Sequence, residues 1–413
     1  MLIVSYDTLT SSPRDYDLKY LSTTSPWFLI VLALLAALPP FAIDTYTPAV
    51  PLMAQFFHES EGHVIWSISS YLLGFGLGML VWGPLSDVVG RKVIIRIGLI
   101  IYMVATLSST FCTHLNALIT WRFFQAIGDS AGVGVAFTML RDCYSGQHLT
   151  RTIASIIAMM MLAPMIAPLI GSCLLQDQHW QNIFYFLFSY GCVMFVVVLW
   201  LPETLSINQR VRFSSIIKQY QLHLKNRQFL TLSLCASCSF AATFCYISTA
   251  ALIYMSIYHF GKFTYSGLFA INAISIIIGS LTLRYLSSKK TPHFIQCLGL
   301  WIFSISDIAM IIAMHFFPDL WLAFTIFITI ATFGLCLLIG SFMSSAMNVV
   351  HEAFGTATSI LNALRNILGS VLSMIVSSLI VTTIIPLPIT QLCLASILFF
   401  MIYFIGPSRS LAD

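Results

Sequence analysis

The sequence predicts an all-α polytopic membrane protein, with twelve transmembrane helices arranged as two six-helix bundles. Three observations lead there. The 413 residues are 58% hydrophobic and only 8% charged, whereas soluble domains carry about 25% charged residues, so a water-soluble globule of this composition would lack the charge to cover its surface. The mean hydropathy is +0.91. Twelve apolar segments recur along the chain, each near the roughly 20 residues a helix needs to cross the hydrocarbon core. The alternating pattern of barrel strands is absent, and helices satisfy their own backbone hydrogen bonds in lipid.

The first span, Trp27–Ala49, follows a polar segment, residues 1–25, in which Asp7, Asp15 and Asp17 mix with Arg14 and Lys19. That is unlike the positive start of a cleavable signal. Pro39, Pro40 and Pro48 predict an irregular helix around Asp44. The second span, Val64–Pro84, and the third, Val93–Cys112, are joined by "GPLSDVVGRK", Gly83–Lys92. Gly83 and Gly90 suit a tight link, through close approach or positive φ. Asp87 can meet Arg91 and Lys92, or complement a neighbouring helix N-terminus. The fourth span, Leu115–Leu140, contains Arg122 and Asp129, and the fifth, Ile153–Leu175, contains Pro164, Pro168 and Gly171. Prolines there bend the axis, and glycine permits close helix contact. Ile183–Pro202 completes the first bundle, residues 26–202.

The link at residues 203–228 is basic and partly amphipathic, which predicts a short helix on the cytoplasmic membrane face. The second bundle, residues 229–406, holds Phe229–Tyr258, Tyr265–Leu286, Phe294–Met314, Leu320–Phe342, Thr356–Thr382 and Ile389–Ile405, before a tail at 407–413. Two halves of similar size suggest a parallel repeat. Lysine and arginine set the orientation. Arg91, Lys92, Arg141, Arg151, Arg210, Arg212, Lys218, Lys225, Arg227, Lys289 and Lys290 fall in or beside even-numbered links, and only Lys262 falls in an odd one. Both termini are therefore expected in the cytoplasm. The net charge of +4 reflects this asymmetry and is no evidence of a nucleic-acid partner.

The order G-P-L-S-D-x-x-G-R-K resembles the signature between helices two and three of the major facilitator superfamily. "RFFQAIGDSAGVGVAFTMLRD", Arg122–Asp142, resembles the fourth-helix segment of that superfamily's drug:proton antiporters, and "LAPMIAPLIGSCL", Leu162–Leu174, their fifth-helix motif. With "IDTYTPAVP", Ile43–Pro51, the set is most similar to the bicyclomycin-resistance (Bcr/CflA-type) branch. "GTATSILNAL", Gly355–Leu364, is the clearest match in the second half. The chain departs from the pattern at Ala126, Ala163, Ala167 and Ser172, where glycine is more usual, and "LRYLSSKK" does not repeat the acidic turn. The resemblance implies two six-helix bundles around a central cavity and alternating access coupled to protons. It also implies export of small organic compounds across a bacterial inner membrane.

Apart from Arg96 and Arg284, which lie near the cytoplasmic ends of their spans, few charged residues lie within the spans: Asp44, Arg122, Asp129, Asp307 and Arg365. Each costs about 2.5–3.5 kcal/mol at a helix centre on insertion scales, and such residues usually face a partner or a wet cavity. An aspartate titrates near ~3.9 in water; desolvation raises that value and an arginine lowers it. Asp44 is thus a candidate proton-coupling or substrate carboxylate. The alternatives are a structural ion pair with Arg122 or an interfacial acid. The resemblance puts Asp44 and Arg122 at cavity-lining positions. Asp129, two turns beyond Arg122 on the same face, is either the partner of its guanidinium or a second proton site. Arg365 is either an anion contact in the cavity or a residue that snorkels to the cytoplasmic boundary. Asp307 is expected to make an interhelical polar contact.

Other clusters carry less. His58, His63, His114, His179, His259 and His315 lack ligand spacing and read as polar membrane-edge residues, so no metal is expected. "CASC", Cys235–Cys238, reads as small-residue packing, and Met159–Met161 as apolar packing. No Walker loop and no Ser–His–Asp arrangement is recognisable, so neither an enzyme nor a cofactor is expected. The expected partners are a small molecule, protons and the lipid bilayer, with the protein a monomer. Two rival readings remain: a transporter of an anionic or zwitterionic metabolite, such as a siderophore or carboxylate, using Arg122 and Arg365, and a membrane sensor that kept the fold without transport.

Overall fold

The computed structural model describes residues 25–206, 210, 213–350, 352–380 and 383–405. The expected N-terminal segment lies outside these residues except for Ser25, and the tail at 407–413 lies outside entirely. Twelve helical stretches among the described residues are long and apolar enough to cross a membrane.

The first span is broken, as its prolines predict. Helix α1 (Pro26–Asp44) ends at the aspartate, a short 3-10 turn covers Thr47–Ala49, and α2 (Val50–Phe57) completes the crossing. The crossing thus runs on to Phe57, beyond the predicted edge at Ala49, because Pro51 sits in the first turn of α2, where its missing N–H has no partner to lose. The second span, α3 (Glu61–Val89), likewise continues through Pro84 rather than ending there. A mid-helix proline leaves the carbonyl four residues earlier without its donor. Here that carbonyl, Leu80 O, accepts from the Tyr220 hydroxyl at 2.7 Å.

Helices α4 (Arg91–Ser109), α5 (Leu115–Cys143), α6 (Gly146–Leu174) and α7 (Gln181–Val198) complete the first bundle. The amphipathic α8 (Phe213–Lys225) occupies the link. The second bundle follows: α9 (Arg227–Ala251), extended by a π-helical turn at Leu252–Ile257, then α10 (Lys262–Ser287), α11 (Pro292–Phe316), α12 (Trp321–Asn348), α13 (Phe354–Leu379) and α14 (Pro386–Ile405).

The halves share a packing device. A Cβ on Gly128 of α5 would lie 2.4 Å from the Gly98 carbonyl of α4, and one on Gly334 of α12 would lie 2.8 Å from the Gly299 carbonyl of α11. Third and fourth spans of each half therefore touch backbone to backbone through a glycine pair, as small residues allow in lipid. Between halves, α3 packs on α13 and α6 on α10.

Hydrogen bonds across that seam gather at the end away from α8. Ser256 Oγ donates to Glu61 Oε1 and Oε2 at 2.5 and 2.6 Å, and Trp66 Nε1 to Ser378 Oγ at 3.1 Å. Ser69 Oγ reaches Ser373 Oγ at 2.9 Å, Ser172 Oγ meets Ser266 Oγ at 3.0 Å, and Lys262 Nζ donates to the Leu175 carbonyl at 2.9 Å. Toward the α8 end, α6 and α10 instead expose Ile157, Leu162, Ile274, Ile278 and Leu281. Helix α8 touches both bundles: besides the Tyr220 bond, His223 Nε2 lies 3.2 Å from the Ala353 carbonyl that precedes α13.

Candidate functional site

Asp44 is the last residue of α1, only 4% exposed. A helix C-terminus carries partial negative charge, so the position gives a carboxylate no help from the helix. Among the described residues, no hydrogen bond or ion pair reaches its side chain; the nearby Thr47 hydroxyl donates to its backbone carbonyl at 2.9 Å. Thr47 Oγ1 in turn accepts from Tyr265 of α10 at 2.8 Å, so the second bundle reaches the break that holds Asp44. On the opposite side, a Cβ on Gly171 of α6 would lie 2.2 Å from the Thr45 carbonyl. Only glycine lets α6 close against the break, and Pro164 and Pro168 lie on the same helix just before it.

Arg122 is fully buried. Its Nη1 donates to Gln125 Oε1 at 2.7 Å and its Nη2 to the Ala42 carbonyl at 3.1 Å. That carbonyl belongs to the last turn of α1, where the helix leaves carbonyls without donors. The guanidinium carbon lies 4.7 Å from the Tyr46 ring centroid and 4.4 Å from that of Tyr71, a distance at which the π face attracts the cation. Gln125 is itself fixed by a bond from Nε2 to Thr106 Oγ1 at 2.8 Å. The alternative of an Asp44–Arg122 ion pair is therefore not what the structure holds: neutral oxygens and aromatic faces surround the arginine.

Asp129 does not hold the guanidinium either. Its Oδ2 accepts from the Tyr71 hydroxyl, and its Oδ1 is buried without a partner. The two-turn spacing places the groups on one helix face, but the Tyr71 side chain from α3 bridges them, ring to arginine and hydroxyl to aspartate.

The turn motif forms a separate cluster at the α8 end. Gly90 alone has positive φ, +117°, while Gly83 is helical and faces Ser359 of α13, whose Oγ would lie 3.0 Å from an added Cβ. The Arg91 Nη1 donates to Ser86 Oγ at 2.6 Å and to Asp87 Oδ1 at 2.5 Å, and its Nε to Asp142 Oδ2 at 3.0 Å. The Glu203 carboxylate accepts from the backbone N–H groups of Arg91 and Lys92 at 2.9 and 3.1 Å. An acid thereby satisfies two of the open donors at the start of α4 and complements its positive end. Lys92 Nζ donates to the Leu199 carbonyl at 2.9 Å.

Two expectations need correction or decision. Asp307 is fully buried, yet both its carboxylate oxygens lack a hydrogen-bond partner; the expected interhelical polar contact is absent, and nothing in the structure explains it. Arg365 does not snorkel: its guanidinium carbon lies 4.6 Å from the ring centroid of Phe240, within α9. Cys235 and Cys238 are both buried in packing positions, with Cys235 Sγ 3.6 Å from Met401 Sδ.

Sequence reasoning missed Tyr71, Gln125, Tyr265, Asp142 and Glu203. Gln125, one turn after Arg122, was the one with a local signal. Tyr71, Tyr265 and Asp142 are brought in from other helices, and Glu203 from the link after α7.

Two six-helix bundles joined at one end around a buried, partly unpaired charge cluster define a membrane transporter. The chain belongs to the Major Facilitator Superfamily, whose profile matches residues 32–374. It is 27% identical over 378 residues to a bicyclomycin resistance protein homolog of Haemophilus influenzae, covering 88% of this chain and 92% of that one. It is 26% identical over 400 residues to a chloramphenicol resistance protein of Pseudomonas aeruginosa, covering 94% and 91%. A shorter match, 34% over 177 residues, joins it to multidrug resistance protein D of Escherichia coli, covering 43% and 45%. In fold it is similar to the xylose transporter XylE from E. coli in a partially occluded inward open conformation, with a TM-score of 0.73 at 10% identity over 92% of this chain and 97% of that one.

Proposed function

We propose that this transporter exports small organic molecules from a bacterial cell in exchange for protons, by alternating access, with Asp44 as the coupling carboxylate. The observation that carries the reading is the isolation of that carboxylate: a buried acid at a helix break, with no ion pair, beneath the seam that joins the two bundles. An acid in that position can take a proton without breaking a salt bridge, and Arg122 holds the chain on either side of it through the Ala42 carbonyl and the Tyr46 ring. Asp129, coupled to Arg122 through Tyr71, is the second candidate proton site. The resistance proteins among its relatives support export.

In this reading both termini and α8 face the cytoplasm, and the protein works as a monomer in the inner membrane. The units are residues 26–202 and 229–406, joined by the linker at 203–228, with cytoplasmic ends at 1–25 and 407–413. The hydrogen-bonded seam then closes the outer side, and the α8 ends of α6 and α10, which share no side-chain hydrogen bond among the described residues, part to open inward. The Gly83–Lys92 turn, with Asp87, Gly90 and Arg91, holds the cytoplasmic ends of the first bundle together as a rigid unit while the bundles rock.

The test is reconstitution of the purified protein into vesicles with a lumenal pH dye, challenged with lipophilic cations, zwitterions and carboxylates. Compound-triggered proton movement is the expected result. Compound movement with no proton movement in any class would refute coupling.

A further inference from the structure

We propose that Arg365 is the contact for an anionic group on the transported molecule, so that the substrates include apolar or aromatic compounds bearing a carboxylate. This rests on the transport reading above and specifies its substrate class.

Arg365 lies eleven residues after Phe354, the first residue of α13, which at about 1.5 Å per residue is about 16 Å into the span. Its Nη1 is 3.7 Å from Met343 Sδ of α12, and its guanidinium carbon 4.6 Å from the Phe240 ring of α9. Phe240 stacks on Phe244 with centroids 5.9 Å apart. One turn further along α13, a Cβ on Gly369 would lie 3.0 Å from Leu72 of α3 and 3.2 Å from Phe240. That approach fixes where Arg365 points: toward α9 and α12, beside the seam between the bundles, where Arg365, Phe240 and Met343 are all partly exposed.

No carboxylate among the described residues pairs with it. The ion pairs among the described residues all involve first-half residues, Glu59, His63, Asp87, Arg91 and Asp142. Asp307, the other charged residue deep in a second-half span, has no partner of its own. The Arg365 Nε is buried without an acceptor, and a thioether sulfur is only a weak one. An arginine kept at membrane depth without a protein anion marks a functional position. Its planar fork matches a carboxylate through two parallel bonds, and the Phe240–Phe244 pair offers the apolar face on which an aromatic body can stack. The oxyanion has two possible sources: the transported molecule, or a lipid headgroup entering from the side.

The experiment is equilibrium binding to the full chain in nanodiscs, without a proton gradient, using 1-naphthoate and its neutral methyl ester as probes. In zwitterionic lipid, wild type should bind naphthoate at least about tenfold more tightly than the ester, as a charge-assisted pair implies. Arg365→Gln should erase that preference and leave ester affinity unchanged, and Arg365→Lys should keep part of it. Ester binding reports that each variant is folded. Equal wild-type affinity for both probes overturns the proposal without any variant, as does an unchanged preference in Arg365→Gln. Adding anionic lipid should leave the wild-type preference intact; its disappearance there assigns the site to a headgroup and also overturns the proposal. Because no gradient is present, loss of proton coupling as an account of transport would leave this result standing, and the reverse holds too.

Discussion

Arg122 fastens the helix that ends in Asp44 without pairing with it. Its Nη2 takes the Ala42 carbonyl at 3.1 Å and its guanidinium lies over Tyr46 at 4.7 Å, so it grips the chain two residues before and two residues after the aspartate. The cation thereby positions the break in the first span and leaves the carboxylate available. Span position, loop charge and the turn motif cannot reveal such an arrangement; it comes from the way α1 ends against α5.

Replacing Arg122 should therefore act on structure as well as transport. Arg122→Ala removes two charge-assisted hydrogen bonds and strands Gln125 and the Ala42 carbonyl, a loss of about 3 kcal/mol or more. Thermal unfolding in detergent should show a clear drop in midpoint, and Arg122→Lys should recover part of it, since an ammonium still lies over the rings but cannot span both oxygens. An unchanged midpoint for Arg122→Ala would contradict the fastening role.

Tyr71 should prove a bridge with two separable ends. Tyr71→Phe keeps the ring beneath Arg122 but takes the hydroxyl from Asp129, leaving that buried carboxylate unpartnered at a cost of about 1–3 kcal/mol. Combined with Asp129→Asn, the losses should fall short of additive, because both changes remove the same contact. A double-mutant cycle on unfolding midpoints measures this; strict additivity would mean the two do not interact.

The seam between Ser69 and Ser373, whose hydroxyl oxygens are 2.9 Å apart, gives a direct handle on alternating access. A Ser69→Cys, Ser373→Cys protein should form a cross-bundle disulfide under mild oxidation and lose nearly all transport, and reductant should restore it. Full transport by the demonstrably crosslinked protein would show that this seam need not open. The ten native cysteines call for the two single variants as controls.

Much of the framework was legible in the sequence. Apolar length located the spans, and Pro39, Pro40 and Pro48 foretold the break at Asp44. The turn "GPLSDVVGRK" placed Gly90 where positive φ is needed. Helix edges were less legible, because proline does not always stop a membrane helix: Pro84 is carried through, with Tyr220 occupying the carbonyl it frees. The partners of the buried charges were not legible. Tyr46, Tyr71 and Phe240 in an apolar run read equally as lipid-facing or charge-facing residues, and only the packing of α1, α3, α5 and α9 separates those roles. Asp307 stays without an account: the sequence suggested a partner, and the structure provides none.

The most direct test compares wild type with Asp44→Asn in vesicles with a lumenal pH dye and a transported compound. The account predicts a variant that folds and binds the compound, yet moves no protons with it and does not respond to an imposed pH gradient. Proton-coupled transport at the wild-type rate in Asp44→Asn would contradict the claim that this carboxylate couples the cycle.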